Sequence, residues 1–412
     1  MQLPSKPNYK ERLSLVKQEE VTMNKIFDEK KQKLPILAWA DDIEDSAMEQ
    51  AINLSNHPCV VDHVALAPDC HSGYGMPIGG IIAVEDAIIP NAVGVDIGCS
   101  MSLMRTSLNT DDVNEEILRK IIENIKNVIP VGLNHNKDKQ AHELFEHVDV
   151  WNNTIICKQE FESAQYQVCS LGGGNHFIEI QAGDDNEIYI MIHSGSRNLG
   201  YKVGNYYNKV AEELCTKWRQ HDVVKNKLAF LPRGTDEFDA YVREMNICLD
   251  FAHANHQLMQ SKIVKICEDV IPNFYIIGSY FTRHNYCAIE HHLSRDLFIH
   301  RKGAIRARQG EHAIIPGSQG TASYLVCGLG NKASFTSASH GSGRKMSRTA
   351  AKANLSLKDE QAKMAGIIHN INSVEQLDEA PSAYKDIEEV IKLESDLVTP
   401  VIKFKPLAVV KG

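Results

Sequence analysis

The sequence predicts an α+β fold in one large domain, with mixed sheets and helices arranged around a central cleft. Three observations lead there. Short apolar runs alternate with Gly and Pro between residues 59 and 104 (CVVDHVALA, GGIIAV, NAVGVDIG), as buried strands joined by tight turns do. Other stretches carry apolar residues at helical spacing. These two kinds of segment follow one another without a steady βαβ rhythm. In addition, Gly-rich, His-bearing turns are spread along the whole chain, the pattern expected when one cleft collects them.

Residues 1 to about 35 are charged and read as an N-terminal helical segment. Residues 44–56 read as a helix with Asp42 and Asp45 near its start. Between 111 and 128, Ile117, Leu118, Ile121, Ile122 and Ile125 share one helical face, and acidic residues fill the first turn where the helix dipole favours them. Strands are expected at 166–170, 176–181 and 187–192, and long helices at 203–220 and 236–269. A Gly/Ser-rich, strand-like stretch runs from 300 to 344, followed by a helix beginning near Arg344 and a shorter one at 381–397. Neither a repeat nor a low-complexity linker divides the chain, so residues 1–412 are expected to form a single domain.

Composition narrows the function classes. The net charge is −9, from 44 Lys and Arg against 53 Asp and Glu. That argues against a protein that coats nucleic acid non-specifically, and leaves room for a local basic track. Ten cysteines are scattered without a CxxC pair, which argues against a zinc ribbon or thioredoxin-like site. Cys248, Cys267 and Cys327 sit in apolar runs, as buried thiols do. The polar N-terminus does not resemble a signal peptide, and no apolar run reaches the roughly 18 residues of a membrane helix. A reduced, cytoplasmic protein without a membrane partner is expected.

The sharpest local signal is GVDIGCSM, residues 94–101. Asp96 and Cys99 would face opposite sides of a straight strand, but a turn at Gly98 could aim both inward. Hard oxygen beside soft sulfur suits a borderline divalent ion such as Mn²⁺, Zn²⁺ or Fe²⁺, and a thiolate can bridge two ions. A turn with a buried Cys and a capping Asp is the plain alternative. Three His-bearing turns follow: GGGNHFIE with Asn175, His176 and Glu179, HSGSRNLG with His193, and RHNYCAIEHH with His284 and Asn285. Together with Asp96 and Cys99 they make a two-metal set. APDCHSGYG adds Asp69, which suits a catalytic carboxylate, a residue orienting a ligand or an ordinary turn.

HGSGRKMSR, residues 340–348, sets His340 before a Gly-Ser-Gly turn and the start of a basic helix. Helix N-termini attract phosphate. PGSQGTAS, residues 316–323, is a second loop able to cradle phosphates or a base. A neutral imidazole is a competent nucleophile toward phosphorus, so His340 suits a covalent carrier; a capping His is the alternative. RKGAIRAR, residues 301–308, reads equally as an RNA backbone track or as a solvated strand face.

PDCHSGYG, GVDIGCSM, GGGNHFIE, HSGSR, RHN, RKGA, PGSQGTASY, HGSGRKMSR and the terminal KG resemble, in this order, the motifs of the RtcB RNA ligases over roughly residues 60 to 412. The resemblance implies a ligase that joins RNA ending in a 2′,3′-cyclic phosphate or 3′-phosphate to RNA with a 5′-hydroxyl. GTP would guanylylate His340, GMP would pass to the RNA 3′-phosphate, and the 5′-hydroxyl would displace it, with two Mn²⁺ ions assisting. By motif the metal ligands are Asp96, Cys99 as the bridge, His176, His193 and His284. Guanylate contacts are Asn175, His176, Phe177, Ile178, Glu179, His284, Asn285, Pro316, Gly317, Ser318, Gln319, Ser323, His340, Gly341, Ser342, Gly343 and Lys411. Asp69 and Arg197 match positions near the reacting phosphate. The small protein archease is an implied partner, and the implied fold is the family's own α+β architecture around a metal and nucleotide cleft.

The sequence departs from the family pattern at Ser100, Asn198, Ser342, Gln319 and His256, where Gly, Gly, Ala, Met and Arg are usual, and so resembles a divergent paralogue. A binuclear phosphoesterase that opens cyclic phosphates without sealing would need the metal ligands but not His340 or the guanylate loops. A non-catalytic RNA-end binder would have lost the nucleophile or several ligands. His340 and every ligand are in place.

Overall fold

The computed structural model describes residues 23–412. Most of the proposed N-terminal helical segment lies outside them. Residues 24–26 form a short strand rather than a helix, and turns follow it.

Two sheets carry the architecture. One has six strands in the order Asn24–Ile26, Ile36–Ala38, Val60–His71, Ile78–Val84, Arg295–Lys302 and Asn285–His292. The other has seven, in the order Ile276–Arg283, Ser100–Asn109, Glu187–Ser194, Phe177–Gly183, Val398–Lys411, Ser323–Gly328 and His312–Ile315. This second sheet curls until its outer strands meet, where the Ile314 amide donates to Thr282 Oγ1 at 3.2 Å. Curling hides the exposed edges that would otherwise recruit other chains. Ile276–Arg283 belongs to one sheet and Asn285–His292 to the other, so His284 sits at the crossing.

Helices pack outside the sheets. Glu115–Val128 begins where the Asn114 side chain accepts the Ile117 amide, and it buries Leu118, Ile121, Ile122 and Ile125. Each buried side chain of this kind contributes about 1.5–3 kcal/mol. The long helix Asp236–Val270 starts at a Thr235 cap and crosses behind the strand ends that carry the site. Mixed helices and sheets with mostly antiparallel pairing make this the α+β fold expected.

Several local expectations are corrected. YQVCS at 166–170 is a helix end and a turn, because the Ile156–Gln167 helix absorbs its first residues. NAVGVDIG is apolar because it is buried, but it forms the short helix Pro90–Val93 and then turns. The helix expected near Arg344 begins only at Arg348, capped by Ser347, and runs seven residues to Asn354. The 381–397 segment is helical only in two short pieces, Pro381–Ala383 and Ile387–Leu393. Among the described residues, no helix is long and apolar enough to cross a membrane, and the ten cysteines are free thiols.

The basic RKGAIRAR segment is largely turned inward, and only Arg308 of its four basic residues is more than half exposed. Arg301 is fully buried and bidentate to Glu290, at 2.6 and 3.2 Å. Lys302 is buried and donates to the backbone carbonyls of Tyr74 and Asn91, while Arg306 pairs with Glu311. Charge here holds strands together. Arg301→Ala should remove the bidentate partner of Glu290, leaving it only His292 and Arg308 at 3.3 and 3.6 Å, and cost about 3–5 kcal/mol, read as a lower urea midpoint than that of the unmodified chain.

Candidate active site

The functional side chains collect at one end of the seven-stranded sheet because its strands end in register. His193 lies opposite Met101 on one side and Phe177 on the other, and Phe177 lies opposite Lys411. His176 stands one residue beyond Phe177 and Cys99 two beyond Met101, and the His284 amide donates to the Cys99 carbonyl at 3.0 Å. The turn at Gly98 works as the spacing suggested. Its φ is +77°, and an added Cβ would lie 3.2 Å from Leu249 Cα, so both the conformation and the packing require glycine. Asn285 clamps this turn, its amide donating to the Asp96 carbonyl at 3.1 Å.

The resulting contacts form a row. Asp96 Oδ2 lies 3.2 Å from His176 Nε2, which lies 3.4 Å from Cys99 Sγ. Cys99 Sγ is 3.3 Å from His193 Nε2, which is 3.3 Å from His284 Nε2. Two triads able to hold a metal ion overlap here, Asp96–Cys99–His176 and Cys99–His193–His284, each with donor atoms within 4.8 Å of one another. They share the sulfur. Burial, then the neighbouring histidines, lower His193 and His284 well below the usual imidazole range, leaving neutral rings with lone pairs for a cation. Burial opposes ionisation of Asp96, but the hydrogen bond and charge of His176 outweigh it and hold the carboxyl below its ordinary value. Burial and then Asp96 push the Cys99 thiol well up, so its thiolate form calls for a cation beside it.

His340 sits at the end of this row, its ring 5.0 Å from that of His284. Its backbone amide and its Nδ1–H both donate to Asp69 Oδ2, at 3.1 and 2.6 Å. A carboxylate only accepts, so Nδ1 carries the proton, and in the neutral ring Nε2 keeps the lone pair. Asp69 is fully buried. Two glycines let the chain close around it: a Cβ on Gly79 would lie 2.7 Å from Asp69 Oδ1, and one on Gly343 would lie 2.2 Å from the Asp69 carbonyl. Behind His340 the Ser339 amide donates to Glu394 Oε2 at 2.8 Å.

Burial pushes fully buried Glu394 up to about 8 from its ordinary 4.5. The folded chain therefore keeps a proton that the unfolded chain loses above about pH 4.5. Stability from this group is complete below that pH and is lost as pH rises toward 8, at a slope of up to about 1.4 kcal/mol per pH unit. Glu394→Gln should flatten the stability profile between pH 5 and 8, measured by urea denaturation at each pH.

A cavity of about 480 Å³ opens beside His340, within the usual range for small-ligand sites. Asn175, Phe177, Pro316 to Gln319, His340 to Gly343 and Lys411 line it, as does His193. The two Gly-rich loops are tied together by the Ser342 amide donating to the Pro316 carbonyl at 3.1 Å. Six expected contacts do not line it: His176 and His284 stand in the donor row, and four others lie behind the wall. Ser323 accepts the Gly317 amide and so shapes the loop, and Asn285 holds the Asp96 turn. Glu179 is buried and accepts from Gln181 at 2.6 Å; burial raises it to about 7. Ile178 is packed in the core.

Sequence reasoning missed the far wall. Glu379 receives Arg344, Arg348 and the Tyr384 hydroxyl, with Lys411 Nζ 3.8 Å away. The Arg344 guanidinium lies 5.1 Å from the Tyr384 ring centre. Glu379 and Tyr384 come from DEAPSAYKD, which has no glycine turn or histidine to signal a site. Because the helix starts at Arg348, the HGSGR loop offers loop amides rather than a helix N-terminus to a phosphate.

Arg197 lies on the other side of the metal set. Its φ is +57°, a strained value for a non-glycine residue, and it donates to Ser170 Oγ and the Gly132 carbonyl at 3.1 and 2.7 Å. Together with Asp96, His176 and Asn198 it lines a second cavity of about 530 Å³. His256 reaches neither cavity. It is buried against Ser100 Oγ, Ser102 Oγ and the Ser194 carbonyl, so two departures from the family pattern, Ser100 and His256, meet behind the metal set.

Comparison with known proteins agrees with this geometry. A family model described as tRNA-splicing ligase RtcB matches residues 50–412. The RNA-splicing ligase RtcB of Escherichia coli (strain K12) is 34% identical over 403 residues, covering 92% of this chain and 97% of that protein. The tRNA-splicing ligase RtcB of Nanoarchaeum equitans is 31% identical, covering 93% and 96%. That of Thermococcus kodakarensis is 27% identical, covering 94% and 96%. The chain belongs to the RtcB family of tRNA-splicing ligases.

Proposed function

We propose that the chain is a GTP- and Mn²⁺-dependent RNA ligase that joins a 2′,3′-cyclic phosphate or 3′-phosphate end to a 5′-hydroxyl end through guanylylated His340, with residues 1–412 acting as one ligase domain. The observation that carries this reading is the Asp69–His340 pair, which holds through Nδ1 a ring that lines the cavity and stands 5.0 Å from His284 of the metal set.

Asp96, Cys99 and His176 would hold one ion and Cys99, His193 and His284 the other, a set of oxygen, sulfur and neutral nitrogen that fits Mn²⁺. Bound there, the ions supply Lewis-acid compensation for phosphate charge. The protein's own groups carry the covalent chemistry. His340 Nε2 attacks the α-phosphorus of GTP; the bond to the β-phosphate oxygen breaks, and pyrophosphate leaves with the electron pair. Asp69 holds the ring through Nδ1–H and offsets the positive charge that develops on it. Transfer of GMP to an RNA 3′-phosphate returns the pair to Nε2. Arg344, Lys411 and the loop amides at 316–319 and 341–343 would seat the nucleotide, with Asn175 and Phe177 at its edge. Asp69 and Arg197 are assigned to the reacting phosphates. Archease is the partner to test by addition.

The test supplies two RNA fragments, one ending in a 2′,3′-cyclic phosphate and one beginning with a 5′-hydroxyl. Joined product that requires both GTP and Mn²⁺ is the expected result. Opening of the cyclic phosphate without GTP and without joining would replace this reading with that of a phosphoesterase.

A further inference from the structure

Cys99 and His193 stand 3.3 Å apart, yet they belong to different strands. Ser100–Asn109 pairs with Glu187–Ser194, and Ser100 opposite Ser194 is the last rung before the two chains part. Side chains alternate along a strand, so Ser100 and Ser102 share one face. That face meets the helix Asp236–Val270, where two successive residues, Asn255 and His256, are fully buried.

Asn255 holds the turns. Its Oδ1 accepts the Ser170 amide at 3.0 Å, and its Nδ2 donates to the Ser170 and Gly195 carbonyls at 3.1 and 3.2 Å. Gly195 is packed on Asp96, since a Cβ there would lie 2.4 Å from Asp96 Oδ1. His256 holds the rung. Its Nε2 lies 3.2 Å from the Ser194 carbonyl and 3.3 Å from Ser100 Oγ, and its Nδ1 lies 2.8 Å from Ser102 Oγ. Burial lowers the ring to about 4, so it is neutral. A carbonyl only accepts, so Nε2 carries the proton and Nδ1 accepts the Ser102 hydroxyl. Phe281 closes on the ring edge-on, with centres 5.4 Å apart. One tautomer of one ring thus ties both strands together at their last rung.

Resting on the two-ion reading above, we infer that His256 is a positioning residue for the metal set, holding Cys99 Sγ and His193 Nε2 at the separation that lets one ion take both. The ring touches neither donor. It acts through Ser100, which follows Cys99, and through Ser194, which follows His193. Donors whose spacing is already set bind a cation without further ordering; donors on strands free to part must be ordered by the ion, and affinity falls. Loss of groups that orient metal ligands costs about 10–100-fold in affinity. His256 acts one residue away from the donors, which puts it at the lower end.

The test titrates Mn²⁺ into metal-free, full-length protein and follows the free ion by electron paramagnetic resonance. His256→Ala should weaken binding of at least one ion about tenfold. His256→Gln keeps a donor for the Ser194 carbonyl and an acceptor for the Ser102 hydroxyl, and should recover most of that loss. Ser102→Ala leaves the ring in place and should cause a smaller loss, and should add nothing when combined with His256→Ala. Guanylate transfer in His256→Ala should need about ten times more Mn²⁺ but reach the unmodified rate at saturation. With Co²⁺ in place of Mn²⁺, the charge-transfer absorption of the Cys99 thiolate should be weaker in His256→Ala at a given Co²⁺ concentration.

Unchanged Mn²⁺ affinity in His256→Ala overturns the inference. So does guanylate transfer that stays low at saturating Mn²⁺ together with a lowered melting temperature, the mark of a ring that only fills the core. Should His256→Ala fail to fold, Ser102→Ala decides, and unchanged affinity there overturns the inference. Failure of the unmodified protein to bind Mn²⁺ is a different result: it overturns the two-ion reading, and this inference with it.

Discussion

Asp69→Asn should lower the rate of guanylate transfer to residue 340 by about 10³–10⁴-fold while leaving the fold intact. The carboxylate accepts from both the backbone amide and the Nδ1–H of His340. An asparagine amide is nearly the same shape but presents N–H donors as well as an acceptor. With its oxygen in the Oδ2 place it keeps both hydrogen bonds, but it carries no charge to offset the positive charge that develops on the ring during attack. Loss of the corresponding carboxylate in hydrolytic triads costs about 10⁴. Single-turnover labelling with α-labelled GTP measures the step, with His340→Ala as the unlabelled control. A merely structural role for Asp69 would lower melting temperature and labelling together. Here the melting temperature should hold, because Asp69 Oδ2 still has an acceptor in its place.

Cys99→Ser should have the second large effect, a fall in sealing of at least about 10³-fold with reduced metal content. Cys99 is the one member common to both donor triads, so its loss weakens two sites where loss of His176 or His284 weakens one. A serine hydroxyl is harder and is not deprotonated as a thiol beside a cation is. Removing charge compensation at reacting phosphates costs several kcal/mol of barrier, which corresponds to the stated factor. Metal analysis of dialysed protein is the check: about two Mn²⁺ per chain in the unmodified protein, and fewer than one in Cys99→Ser.

Much of this site was legible in the sequence because its members come from short motifs whose turns are local. Asp96, Gly98 and Cys99 lie within one turn, and His176 and His193 flank strands announced by their own apolar runs. What failed were features that depend on distant packing. RKGAIRAR reads as a basic surface until Glu290, eleven residues before Arg301, is found buried against it. Nothing local in YQVCS says that a helix already claims its first residues. Glu379 and Tyr384 enter the cavity wall only because the chain folds back from a stretch without any motif. The pairing of Asp69 with His340 spans 271 residues, so each could be suspected alone but the dyad could not be read.

The central claim is that His340 carries the guanylate. Protein incubated with GTP and Mn²⁺, digested with trypsin and examined by mass spectrometry, tests it most directly. The account predicts one guanylate on the peptide Ala333–Arg344, lost on acid treatment as a phosphorus–nitrogen bond is, and absent from Asp69→Asn at early times. A guanylate on a lysine of another peptide, or none at all under conditions where RNA ends are joined, would contradict it.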